Sequence, residues 1–222
     1  MIYDIRCLEM PPSLDDYGFM FRHRPSRLAE FSDKDQITST YLPEVEDIIN
    51  TELDNVEKVF IFDWRLRRAE DRKESDVIDL NDPMDWLLPA MHTHVDQSPL
   101  AVLRRIQLQF PDAADTLLRG RVRVINVWRP IQQTVTDWPL AFCDGRTVSD
   151  SDLIESDHIR RHYVGSTMYL LDKPNHRWYY TSNQKPDEAK YTPHAAFKQG
   201  FGGTDNGGRA SIEVRALVFG PP

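Results

Sequence analysis

Three side chains able to bind a metal ion, His92, His94 and Asp96, alternate in the stretch HTHVDQSP, and their spacing raises the first chemical question. An extended chain repeats its side-chain direction every two residues, so His94 and Asp96 share a face and can close on one ion. A His-x-Asp pair also arises as an ordinary polar strand end, so a third ligand has to come from elsewhere. His194 in YTPHAAF, set between Tyr191 and Phe197, is the best placed. Two histidines and one carboxylate with open coordination positions form the facial triad of non-haem Fe(II) in oxygen chemistry. The same donor set suits a catalytic zinc. No Glu general base accompanies the histidines in a helical pattern, which weakens the zinc hydrolase. His92 shares the face of His94 and is expected at the rim, because a fourth protein ligand would take a position that a co-substrate or oxygen needs.

The strand after His194 begins RAS, with Arg209 and Ser211 again on one face. A guanidinium forks onto a carboxylate and a neighbouring hydroxyl adds a further hydrogen bond, which is what anchoring the far carboxylate of 2-oxoglutarate requires. Arg215, further along the same strand, is a rival for that role. Read singly, either arginine is an ordinary strand charge facing water.

These groups need elements to hold them. STYLPEVEDIINTEL places Leu42, Val45, Ile48 and Ile49 at three- and four-residue steps, predicting an amphipathic helix. EKVFIFDWRL alternates as a strand, and Arg65 to Asp85 is so rich in charge that it reads as a solvated connection. LPAMHTHVDQ is expected as a strand. After it Ser98 is the N-cap and Pro99 the first residue of a helix with Leu100, Leu103 and Ile106 on one face, packed outside the sheets. RVRVINVWRPI, LAFCDG, STMYLLD, RWYYTSN and ASIEVRALVF read as strands, with the glycine-rich loop QGFGGTDNGG before the last. Early helices and about eight later strands predict an α+β chain with a double-stranded β-helix (jelly-roll) core and helices packed outside it. One domain over 1–222 is expected, with 1–90 as helical and loop support and 91–222 as the metal-binding barrel core.

Bulk properties exclude several classes. With 35 acidic against 27 basic residues the formal net charge is -8, which argues against nucleic acid as a partner. Two distant cysteines, Cys7 and Cys143, indicate neither a disulfide framework nor a cysteine zinc site, and a cytoplasmic setting is the default. No basic leader with an apolar run opens the chain, and no stretch approaches the roughly 20 apolar residues of a membrane span.

The blocks HVDQSP, INVWRP, PLAFCD, WYY, PHAAF and SIEVRALVF, in this order from about Tyr17 to Phe219, resemble the CmcJ/AsaB-like family of hydroxylases and desaturases. The chain begins near the middle of the N-terminal region expected of that family. The resemblance implies an Fe(II)- and 2-oxoglutarate-dependent oxygenase that uses O2 on a C–H bond of a small secondary-metabolism substrate, by hydroxylation, desaturation or ring closure. It implies His94, Asp96 and His194 at the metal, and Arg209 and Ser211 at the co-substrate anchor with Arg215 as rival. Asn126, Trp128, Arg129 and Tyr179 are candidates for the substrate pocket. Arg129 would hold a substrate carboxylate or pair with a neighbouring acid, Trp128 would line the pocket or fill the core, Asn126 would orient an oxygen ligand or satisfy backbone groups, and one of Tyr179 and Tyr180 would face the interior. His23, His158, His162 and His176 are expected at the surface. The competing reading is a catalytically silent jelly-roll binding protein.

Overall fold

The computed structural model describes residues 1–69, 78–160, 163–191, 194–196 and 208–221. Its strands in chain order are β1 (Ile2–Asp4), β2 (Met20–His23), β3 (Lys58–Arg68), β4 (His94–Val95), β5 (Val122–Ile131), β6 (Leu140–Cys143), β7 (Leu153–Arg160), β8 (Tyr163–Leu170), β9 (Trp178–Tyr180), β10 (Glu188–Tyr191), β11 (His194–Ala196) and β12 (Ala210–Phe219). They form a seven-stranded sheet in the order β1-β9-β6-β11-β4-β8-β7 and a five-stranded sheet in the order β2-β10-β5-β12-β3. β1 runs parallel to β9 and the other strand pairs are antiparallel.

The period-two pattern of β12 explains the layering. Ala210, Ile212, Val214, Ala216 and Val218 are buried with Val45, Ile48 and Ile49 of helix α3 (Leu42–Glu52), which covers the outer face of the five-stranded sheet. Trp128 of β5 joins Leu140, Phe142, Tyr179 and Ala196 of the other sheet in a second core, so the two sheets pack face to face. Two short helices, α1 (Leu14–Tyr17) and α2 (Lys34–Gln36), precede α3. Between α2 and α3 lies a π-helical turn, Ile37–Tyr41. Pro43 has no N–H for the carbonyl four residues back and its ring crowds that carbonyl, which accounts for the wider turn just before it.

Several expectations change. The first ninety residues are not mere support, since β1 closes one edge of the seven-stranded sheet and β2 and β3 form both edges of the other. The charged run starting at Arg65 is not wholly a loop, because β3 continues to Arg68 in register with β12. LPAMHTHVDQ forms a strand only at His94–Val95, and β7 was not anticipated. Helix α4 (Pro99–Gln109), capped by Ser98 as expected, does not lie outside the sheets. Its Ile106 packs on Leu217 and Phe219, which share the β12 face turned toward the seven-stranded sheet, and Ser98 hydrogen-bonds Ser166 of β8. Helix α4 therefore closes one end of the sandwich, with α5 (Ala114–Leu117) behind it.

Candidate metal centre and anion recess

His94 is the first residue of β4, and Asp96 follows directly after that strand. The Nδ1 of His94 lies 2.7 Å from the His92 carbonyl oxygen, which can only accept, so Nδ1 carries the proton and Nε2 keeps its lone pair. That Nε2 is 3.5 Å from Asp96 Oδ1. Burial disfavours the imidazolium, but the Asp96 carboxylate and the His92 carbonyl outweigh it and raise the His94 pKa. A cation between Nε2 and Oδ1 would meet two donors already aimed at one point. His194 is described through its backbone, where it stands opposite His94 in the β11–β4 pair and opposite Phe142 in the β11–β6 pair. Among the described residues no three metal-capable side chains form a cluster.

The second oxygen of Asp96 accepts from Asn126 Nδ2 at 2.9 Å. Arg215 places Nη1 2.6 Å from Asp63 and Nη2 2.5 Å from Glu213, and its Nε lies 3.3 Å from Oδ1 as an ion pair without hydrogen-bond geometry. Glu213 also takes both Nε and Nη2 of Arg67, at 3.0 and 2.8 Å. Burial alone would raise the Glu213 pKa, but Arg67 and Arg215 overcome it and hold the carboxyl at about 2. Sequence reasoning missed Asp63, Arg67 and Glu213. The signal was present as the alternation Arg209, Ser211, Glu213, Arg215, an acid in step with two arginines on one strand face.

Arg209 behaves differently from Arg215. It is 1% exposed and donates from Nη1 to the Trp138 carbonyl at 2.9 Å, while its Nε and Nη2 have no hydrogen-bond partner among the described residues. Its guanidinium carbon lies 5.4 Å from the centre of the Trp128 ring. Burial, with Arg67 as a like charge, lowers its pKa to about 10, so it stays cationic at neutral pH. Ser211, two residues on, is fully buried, and its hydroxyl is likewise without a partner among the described residues. Unpaired buried donors side by side are costly unless a ligand satisfies them. Gly208 lets the strands close at this point, since a Cβ there would sit 1.8 Å from the Ala69 carbonyl oxygen.

A cavity of about 480 Å³ opens beside His94 and Asp96, bounded by Phe62, Arg105, His158 and Tyr169, a size suited to a small organic molecule. The register between β3 and β12 shifts at Phe62, because Arg215 pairs with Asp63 and Ala216 with Ile61. This bulge is the kind that re-aims side chains beside active sites.

Two expected pocket residues lie elsewhere. Arg129 pairs with Ile212, on the helix-covered face, and donates to the Tyr41 hydroxyl and to the carbonyls of Pro186 and Arg24 at 3.3, 2.7 and 2.5 Å. Neighbours on a strand point to opposite faces, so Trp128 and Arg129 could not both line one pocket. Tyr179 packs among Tyr3, Tyr17 and Phe19. It stands three strands from His94 in the sheet order, about 14 Å at the usual spacing. His176 is buried against Asp152 at 3.1 Å rather than exposed, whereas His158 is exposed as expected, at the edge of the cavity. His162 and residues 197–207, which hold most of the glycine-rich loop, lie outside the described residues.

Residues 1–219 match the family model described as an oxidoreductase/YMDC permease-like domain. Aspirochlorine biosynthesis protein N of Aspergillus oryzae is 34% identical over 55% of this chain and 58% of its own length. The hydroxylase/desaturase efuI of Hormonema carpetanum is 31% identical over 99% of the chain and 82% of its own. The chain thus spans somewhat over half of the first relative and about four fifths of the second. Among solved structures, the iron and alpha-ketoglutarate-dependent endoperoxidase NvfI superposes with a TM-score of 0.81 at 27% identity, over 95% of this chain and 81% of that one.

Proposed function

The chain belongs to the oxidoreductase/YMDC permease-like domain family, and on that premise we propose that it is an Fe(II)- and 2-oxoglutarate-dependent oxygenase acting with O2 on a C–H bond of a small-molecule substrate. The observation that carries the reading is one inner strand face of the five-stranded sheet, along which Arg215 reaches Asp96 and Arg209 and Ser211 stand further on. At one end are an imidazole Nε2 and a carboxylate oxygen 3.5 Å apart. At the other are the unpaired Arg209 and Ser211 donors. We assign the iron to His94, Asp96 and His194, the register of β4 and β11 supporting the third ligand. When bound, the iron supplies the activation of O2 that no side chain can perform.

In this reading the rest of the protein binds, orients and excludes water. His92 fixes the tautomer of His94 through its backbone carbonyl. Arg209 forks onto the distal carboxylate of 2-oxoglutarate and Ser211 adds a third hydrogen bond. Arg215 does not compete for that carboxylate, because each of its three nitrogens already faces an acid. Trp128 walls the Arg209 side, and the cavity beside Phe62 and His158 takes the substrate. The two facing sheets suit a single jelly-roll domain. Among the described residues no helix is long and apolar enough to cross a membrane.

An anaerobic titration of apoprotein with Fe(II) and then 2-oxoglutarate tests the reading through the weak visible band of a chelated keto acid. A band in the wild type that needs far more 2-oxoglutarate in Arg209→Ala supports cofactor, co-substrate and anchor together. Bound iron without a band would bring forward the binding-protein reading.

A further inference from the structure

We propose that Arg215 and Asn126 are positioning residues that clamp Asp96 from the opposite sheet, one on each carboxylate oxygen; the inference rests on the metal site proposed above. Asn126 of β5 and Arg215 of β12 are direct partners in the five-stranded sheet, so they project side by side at one level. Asp96 comes from the other sheet and reaches both, with Oδ2 at 2.9 Å from Asn126 Nδ2 and Oδ1 at 3.3 Å from Arg215 Nε. Oδ1 is also the oxygen 3.5 Å from His94 Nε2. Arg215 faces Oδ1 as a charge rather than through an aligned hydrogen bond, so the lone pairs of Oδ1 stay open to a metal. The amide on Oδ2 engages the other oxygen, which directs Asp96 to bind through one oxygen.

Arg215 is itself held. Its remaining nitrogens end on Asp63 and Glu213, and Glu213 is gripped by Arg67. A planar guanidinium with three nitrogens can face three acids at once, which a lysine ammonium on a flexible stem cannot reproduce. The same geometry makes the variant testable, since removing Arg215 leaves Glu213 paired with Arg67 and Asp63 paired with Arg65 at 3.3 Å.

Co(II) added to apoprotein without 2-oxoglutarate reads the clamp directly through dissociation constants and visible d–d absorption. Arg215→Gln should weaken Co(II) binding about 10–100-fold and Asn126→Leu about 10-fold, the usual range for partners of a metal ligand, and both should alter the band. Arg215→Lys should not restore it. Arg67→Gln disturbs the same buried network without touching Asp96, so it should lower the unfolding temperature and leave Co(II) affinity within about twofold. Wild-type affinity and spectrum in both Arg215→Gln and Asn126→Leu would overturn the clamp, as would an equal loss in Arg67→Gln. Should Arg215→Gln fail to fold, Asn126→Leu decides alone. A wild-type protein with no band that His94→Ala removes would overturn the metal site and the clamp with it, an outcome distinct from a wild-type band that the variants leave unmoved.

Discussion

His94 and His194 stand directly opposite each other in the antiparallel β4–β11 pair although a hundred residues separate them in the chain. Partners in such a pair occupy one level of the sheet, about 5 Å apart, which is the separation two histidines need to share a metal. This register supports His194 as the second histidine, while His92 contributes its backbone carbonyl to orienting His94. His194→Ala should therefore weaken Fe(II) binding by more than the roughly 10–100-fold typical of an outer partner and abolish succinate formation. His92→Ala, which keeps the backbone carbonyl, should leave Fe(II) affinity nearly unchanged. Equilibrium Fe(II) titration of both variants separates them, and an unaffected His194→Ala would remove that residue from the ligand set.

Arg209, just before β12, and Arg215 within it make a second contrast. Arg209 keeps two donors without partners among the described residues, whereas Arg215 faces three acids. Truncating one member of a buried charged hydrogen-bonded pair costs about 2–5 kcal/mol, so Arg209→Ala should raise the half-saturating 2-oxoglutarate concentration on the order of 100-fold. Ser211→Ala removes a neutral donor and should raise it only a few-fold. Metal affinity measured without 2-oxoglutarate should hold in both. An Arg209→Ala protein that binds 2-oxoglutarate like the wild type would return the anchor to another cation.

The chemistry was more legible than the scaffolding. That His94 and Asp96 share a strand end and that Arg209 and Ser211 share a strand face could be read because side-chain period is a local property, and β12 shows its alternation plainly. The place of α4 could not be read. Of its expected stripe Leu100 and Leu103 are exposed and only Ile106 is buried, and the register of β12 shows that Leu217 and Phe219 present the surface it meets. The charge of Arg65 and Arg67 was taken for solvation because composition does not reveal that Asp63 and Glu213 lie within reach. The bulge at Phe62 leaves no signature in an otherwise regular strand pattern.

Arg129 tests that distinction between residues that look functional and residues that hold the fold. Its three acceptors, the Tyr41 hydroxyl and the carbonyls of Arg24 and Pro186, tie the helical segment and two loops to the outer face of β5. Arg129→Met should cost about 2–4 kcal/mol, because it removes hydrogen bonds from a charged donor and leaves buried acceptors unpaired. Urea denaturation measures that loss. Co(II) and 2-oxoglutarate binding by the folded fraction should not move, and a selective rise in the half-saturating substrate concentration would put Arg129 back in the pocket.

Glu213 gives the fold a defined acid limit. Its carboxyl is held at about 2, against the ordinary 4.5, by Arg67 and Arg215 in spite of a burial that works the other way. A folded pKa below the unfolded one means that the unfolded chain takes up the proton first, so the stability from this group is complete above pH 4.5 and falls as pH drops toward 2. Glu213→Gln cannot ionise and should lose that part of the pH dependence, giving a shallower decline of stability over the same window. It should also be less stable than the wild type at neutral pH, because Arg67 and Arg215 are left close together without the anion between them. Urea unfolding midpoints at steps from pH 7 to pH 2 would show the two curves converging with acid, and parallel curves would mean that Glu213 is not the group that sets the limit.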